Sequence, residues 1–373
     1  MKRQLFFVSR PPVANQLDSA WNPHSWAPEL TSKDFEVVNV SVSTYDTKLS
    51  TWTLRYKADQ LSAILNLFDQ NLVRSGATFF FADAAFPGIE SLRLVAHAAK
   101  IPIKMVGYLH GGSYTTDTLE EDAGRFLKHT EIARIHTLDV VYVASEYHRR
   151  VLVRSRLCEE STLTVAKVRV VGYPIESNGY PSFKSKQPDR KPIVCHITSG
   201  TAGERPELAF EVAKRLLDKG PTAYFSWIET SPYCTPRALR NDILHTVCQA
   251  PWANRFRLRA SPEYAHKDLE TGSVILSTAR EANFNREVAE GLLYGLQPVM
   301  CQALSNVEIL DPVDHASNFY LPEWSLDEFL VDSIVERCEY KLQNWVALHP
   351  KQFPYVTRCL TTRQHIIQEL SKP

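Results

Sequence analysis

The sequence predicts an α/β protein of two Rossmann-like domains facing a central cleft. Three observations predict it. Short apolar, β-branched runs alternate with helical patterns through residues 1–175, and such alternation builds a parallel sheet with helices on both faces. Residues 176–191, ESNGYPSFKSKQPDRK, are polar, contain two prolines and a glycine, and lack apolar periodicity, which marks a linker. The alternation then restarts over 192–350, and 373 residues at 44% hydrophobic suffice for two cores.

The elements follow in order. Residues 4–9 read as the first strand: the apolar run after Lys2-Arg3 is ended by Ser9-Arg10-Pro11-Pro12, short of the roughly 7–15 apolar residues of a signal peptide. Residues 10–30, rich in Pro, Asn and Trp, read as a loop. Strands are predicted at 35–42, 78–81, 103–109, 139–144 and 168–171, and helices at 59–74, 88–100, 119–135 and 146–156, the last capped by Ser145. In the second half strands are predicted at 192–198, 222–228, 255–259 and 273–278, and helices at 205–217, 236–247, 286–294, 325–348 and 361–370.

Composition excludes several classes. Lys+Arg and Asp+Glu both number 42, so no global field draws the chain to nucleic acid or an anionic membrane, although a local basic patch could still meet DNA. Such a patch is suggested by Tyr147-His148-Arg149-Arg150 with Arg154 and Arg156; the same residues also read as a solvated helix face. The seven cysteines form no C-x-x-C pair, consistent with free thiols in a reducing compartment and no zinc site. No uncharged run approaches the roughly 20 residues of a membrane span, so a soluble, cytoplasmic protein without a transmembrane segment is expected. There is no P-loop, no H-E-x-x-H, no G-x-S-x-G and no G-x-G-x-x-G; the last absence argues against a dinucleotide oxidoreductase.

One stretch organises the second domain: 273–300, SVILSTAREANFNREVAEGLLYGLQPVM. It reads as a strand, a polar loop and a helix closed by Gly295. In an α/β sheet that loop lies at the carboxyl edge of the strands, and the first-turn amides of the helix favour an anion such as phosphate.

Glu281, Asn283-Phe284-Asn285, Glu290, Gly295 and Pro298-Val299 resemble the motif of the retaining, nucleotide-sugar-dependent glycosyltransferases with the GT-B fold, the group 1 or family 4-like set. The two glutamates stand nine apart where that family has eight, and Gln297 is an extra residue before Pro298. The resemblance implies a second domain that binds a nucleotide-sugar, a first domain that holds the acceptor, and a C-terminal segment, 351–373, whose helix crosses back to the first domain. It implies that Glu290 anchors the ribose, that Glu281 lies near the transferred sugar, and that the amides of Asn283, Phe284 and Asn285 face the diphosphate.

A second signal is Ile197 to Leu208. The family places two cations here to neutralise the diphosphate; Arg205 occupies the position of one, and the other has no counterpart. Either another basic residue neutralises the remaining charge, or the hydroxyls and amides of 199–203, Gly200 among them, form an anion nest. A third is Leu109-His110-Gly111-Gly112, a strand running into an imidazole and two flexible positions. Related enzymes often have a His there facing the sugar, so His110, Glu281 and Arg205 are the expected catalytic residues. Asp83, at the equivalent edge, either touches the acceptor or caps a helix. Tyr264 and His266 fall in the loop where the family seats the nucleotide base.

The expected function is transfer of a sugar, with retention, from a nucleotide-sugar to an acceptor hydroxyl on a glycan, a small molecule or a hydroxylated modified base in DNA. Neither a metal nor another cofactor is expected. A nucleotide-sugar epimerase on the same scaffold and a catalytically inactive nucleotide-sugar-binding protein are the competing readings.

Overall fold

A computed structural model describes residues 2–10, 21, 23–40, 42, 52–114, 121–158, 160–175, 191–198, 202–229, 235–259, 262–279, 284–302, 304–310, 318–320, 328–345, 348 and 352–372. They fall into two compact units. Of the described residues, 2–10, 21–174 and 361–372 belong to the first and 175–360 to the second. Most of the segment expected as a linker lies outside the described residues.

The first unit contains β1 (Arg3–Val8), α1 (Pro23–Ser32), β2 (Phe35–Val40), α2 (Trp52–Asp69), β3 (Ala77–Phe81), α3 (Ile89–Ala98), β4 (Ile103–Tyr108), α4 (Glu121–Thr137), β5 (Val140–Val143), α5 (Glu146–Arg156), α6 (Thr162–Ala166) and β6 (Val168–Val170). Its six strands form a parallel sheet in the order β2-β1-β3-β4-β5-β6. Every residue of β3 is buried, as expected for a strand covered on both faces, and Phe6 stacks on Phe79 across the ladder at 4.5 Å. Ser145 caps α5 by accepting the His148 amide.

One expectation fails here. From residue 23 the loop predicted over 10–30 gives way to α1, because the prolines that suggested a loop are compatible with its position, while 11–20 and 22 lie outside the described residues. Pro23 opens the helix, where its missing N–H is no loss, and the burial of Trp26 and Leu30 beneath it outweighs the hydrogen bond that Pro28 cannot make.

The second unit contains β7 (Ile193–Thr198), α7 (Pro206–Lys219), β8 (Tyr224–Glu229), α8 (Arg237–Gln249), β9 (Phe256–Arg259), α9 (Pro262–Thr271), β10 (Val274–Ser277), α10 (Arg286–Leu293), β11 (Gln297–Cys301), α11 (Leu304–Leu310), β12 (Phe319–Tyr320) and α12 (Glu328–Gln343). The sheet is again parallel, in the order β12-β11-β10-β7-β8-β9. The region expected as a base-binding loop around Tyr264 and His266 is helix α9 instead. Strand β11 went unpredicted because Pro298 sits inside it. Pro298 is tolerated because β12 pairs only with Met300 and Cys301, so on that side the proline needs no ladder partner.

The last helix, α13 (Pro354–Ser371), belongs to both units in turn. From Thr361 onward it is part of the first, where the Thr362 hydroxyl donates to the Val171 carbonyl at 3.0 Å and Arg363 pairs with Glu29 at 2.5 Å.

Helix α10 lies so close on β10 that a Cβ on Gly291 would stand 2.7 Å from the Ile275 Cβ. Gly291→Ala should therefore overpack a buried contact and cost about 1–3 kcal/mol, read as a lower urea midpoint with an unchanged slope.

Candidate functional site

The order of the second sheet sets β10 beside β7 although β8 and β9 lie between them in sequence. That is a topological switch point, and ligands of α/β sheets bind just outside the carboxyl ends of the strands there. Thr198 ends β7, and Ser277 ends β10. The Thr198 hydroxyl donates to Glu204 Oε2 at 2.7 Å, and the Thr278 hydroxyl donates to the carbonyls of Glu204 at 2.6 Å and Arg205 at 3.2 Å. Two buried hydroxyls thus tie the turn before α7 to the sheet edge.

Arg205 is the N-cap of α7 and adopts φ 51°, ψ 57°. A left-handed arginine costs about 1–2 kcal/mol, and residues held in this way cluster at ligand-contacting loops. Its carbonyl accepts the Thr278 hydroxyl at 3.2 Å, so the Arg205 backbone is held beside the end of β10, at the switch point. The Tyr320 hydroxyl donates to the Ser277 carbonyl at 3.0 Å.

The start of α10 is fixed to the same edge by Asn285. Its Oδ1 accepts the Val288 amide at 3.2 Å, and its Nδ2 donates to Ser277 Oγ at 2.8 Å and Asn306 Oδ1 at 3.2 Å. Asn306 in turn donates to the Cys301 carbonyl at 2.8 Å. The Asn285 side chain thus holds the helix start against β10 and β11. Phe284, just before it, lies half-buried with its ring 5.8 Å from that of Tyr355.

Glu290, one turn into α10, is 7% exposed and accepts Arg286 Nε at 2.7 Å. It is not a solvated helix carboxylate. The structure ties the Arg205 carbonyl to Thr278 and Asn285 to Ser277 at one sheet edge, with Glu290 one turn into the helix that starts there, while Glu281, Asn283 and Gly200 lie outside the described residues.

Sequence reasoning missed the acidic character of this edge. Burial, and then the neighbouring Glu204, push the Glu287 carboxyl up to about 8, against the pull of Arg286. Glu287 sits in the first turn of α10, where a helix reading treats it as an ordinary favourable acid. Folded protein holds this proton up to about pH 8 and unfolded chain loses it near the ordinary 4.5, so its contribution to stability falls as pH rises through that window. Glu287→Gln should flatten the decline, which unfolding midpoints between pH 5 and 8.5 would show.

His196, in β7, is also buried; its Nδ1 donates to the Leu276 carbonyl at 3.1 Å and its Nε2 has no partner. Burial holds its pKa below the usual value, so it is a neutral core imidazole.

In the first unit, His110 follows β4. Its Nε2 donates to the Ala82 carbonyl at 2.8 Å, and its ring meets those of Tyr108, Trp21 and Tyr173 at 4.9, 5.1 and 6.0 Å. Asp83 accepts the Ala85 amide at 2.9 Å and pairs with Lys57 at 2.7 Å. Burial alone would raise its carboxyl, but Lys57, His110 and Arg10 together hold it well below the usual range. It is an ionised turn cap, not a helix cap.

The basic face expected on α5 is largely neutralised. Arg149 and Arg150 lie 3.0 and 3.5 Å from Glu146, and His148 is fully buried. Arg156 turns inward to Glu131 at 2.6 Å.

The fold has counterparts among solved structures. TarM of S. aureus shares 14% identity at a TM-score of 0.57, over 82% of this chain and 56% of TarM. The pneumococcal O-GlcNAc transferase GtfA, in complex with UDP and GlcNAc, shares 12% at a TM-score of 0.56, over 83% of this chain and 58% of GtfA. The Anabaena protein HepE, in complex with UDP-glucose, shares 12% at a TM-score of 0.61, over 99% of this chain and 100% of HepE. This chain thus spans a little over half of TarM and GtfA and the whole of HepE. No family model and no curated protein sequence matches it. The likeness shows the fold: two parallel six-stranded α/β units of the GT-B kind.

Proposed function

We propose that this chain is a glycosyltransferase that moves a sugar from a nucleotide-sugar to an acceptor hydroxyl, with retention and without a metal. What supports this reading is that the Arg205 turn and the Asn285-capped start of α10 are both tied to the switch point of the second sheet, with the buried Glu290 one turn further along that helix. A guanidinium and helix-terminal amides suit a diphosphate, and a buried carboxylate suits ribose hydroxyls. Complexes of GtfA and HepE with UDP support a uridine nucleotide as donor.

In this reading the bond from the anomeric carbon to the diphosphate oxygen breaks, and the acceptor oxygen bonds to the same face of the sugar. The acceptor proton passes to the leaving phosphate. Arg205 and the amides stabilise the charge that grows on the diphosphate, Glu281 adjoins the sugar, and His110 orients the acceptor.

The test is thermal stabilisation by a panel of nucleoside diphosphates. A ligand at a hundred times its dissociation constant adds about 2.7 kcal/mol, so a selective shift with uridine diphosphate is expected. Glu290→Ala removes a charged hydrogen-bond partner worth about 1.5–3 kcal/mol and should weaken that nucleotide about 10- to 150-fold. Absence of a shift with every nucleotide would overturn the reading.

A further inference from the structure

The first unit encloses a cavity of about 320 Å³ under the His110-Gly111-Gly112 turn, near the lower end of the roughly 300–1,000 Å³ of small-molecule sites. Most of its exposed wall is apolar, with Ala84, Leu127, Ile135, Leu138, Val141 and Leu152, while His110, Ser113, Tyr114 and Arg134 also line it. Two carboxylates also line it, and both are engaged by the protein. Asp83 is held by Lys57 and the Ala85 amide. Glu131 accepts the Ser113 amide at 2.6 Å, the Ser113 hydroxyl at 3.0 Å and Arg156 Nε at 2.6 Å. Gly112 makes this turn possible, since a Cβ there would stand 2.3 Å from the Tyr114 ring and 2.8 Å from Glu131 Oε1.

Among the described lining residues, Arg134 Nε is buried and has no hydrogen-bond partner. A buried donor without a partner is destabilising, and a ligand bearing an acceptor group relieves that cost. The wall itself selects against sugars, because each hydroxyl laid against it would lose its hydrogen bonds to water without replacement.

We propose that this cavity binds the apolar body of the acceptor, so that the acceptor is a hydroxyl-bearing aromatic or aliphatic small molecule and not a glycan. The ligand places a hydrogen-bond acceptor group at Arg134 and its hydroxyl at the mouth, beside His110. Its role as acceptor rests on the glycosyltransferase reading, whereas occupancy of the cavity does not.

Titration calorimetry on the full chain tests this with three apolar alcohols, 4-methylumbelliferone, 1-naphthol and decanol, against methyl glucoside. At least one alcohol should bind, with a negative heat-capacity change, and methyl glucoside should not. Leu127→Trp, which fills the cavity from α4, should weaken that alcohol at least tenfold. Arg134→Met should weaken 4-methylumbelliferone, which carries a carbonyl, more than decanol, which does not. Uridine diphosphate binding should stay unchanged in both variants. If Leu127→Trp does not fold, the contrast made by Arg134→Met decides. Binding by none of the alcohols, binding unaffected by both variants, or a preference for methyl glucoside would overturn the proposal. Loss of nucleotide binding in the unaltered chain would overturn the glycosyltransferase reading instead, leaving cavity occupancy to be judged on the alcohols.

Discussion

Arg156→Ala should destabilise the first unit by about 3–5 kcal/mol, the cost of breaking one side of a buried ion pair. The two side chains are 9% and 11% exposed, and Arg156 Nη2 also donates to Ser113 Oγ at 2.9 Å. Removing the guanidinium would leave Glu131 buried with an uncompensated charge. It would also uncover the Tyr114 ring, over which Arg156 lies at 5.3 Å. Urea unfolding followed by a probe of the first unit measures the loss. The double variant Arg156→Met with Glu131→Gln should recover much of it, because neither partner then carries a buried charge. A single variant within 1 kcal/mol of the unaltered chain would show that the pair is better solvated than its geometry implies.

Asn285→Ala is the second large effect, about 2–4 kcal/mol. Loss of an N-cap side chain costs about 0.5–2 kcal/mol, and unpaired buried groups add about 1–3 kcal/mol each; here Ser277 and Asn306 lose a donor together. Asn285→Asp separates the two contributions, since a carboxylate keeps the cap but cannot donate. Aspartate should therefore fall between asparagine and alanine in unfolding midpoint. On the glycosyltransferase reading, both substitutions should also weaken uridine diphosphate binding, as the helix start would no longer be held at the sheet edge.

The fold was legible because strand and helix periods differ and alternate. Strands such as β3 and β7 are unbroken apolar runs, and the helix after β10 announces itself through Asn285 and Gly295. What was illegible depends on partners distant in sequence. Strand β11 hides behind Pro298, whose tolerance follows from how little of β11 its neighbour β12 covers. The same holds at the site. Arg205, Asn285 and Glu290 could be picked out locally, but Asn306, Tyr320 and Thr278 gain meaning only from a sheet order that sequence does not print. Arg156 looked like surface charge because its partner, Glu131, is 25 positions away in the chain.

Helix α13 has a bearing on how the protein is made. The first unit draws on 2–10 and 21–174 and then on 361–372, with Ile366 and Ile367 buried in it. Chains elongate at about 5–20 residues per second, so roughly 10–40 s of synthesis separate the last strand of that unit from the helix that completes it. During that interval the nascent unit exposes the surface α13 will cover, while the second unit emerges and can fold on its own strands. The domain encoded first is thus finished last, and the interval is when a holdase chaperone would have the most to protect.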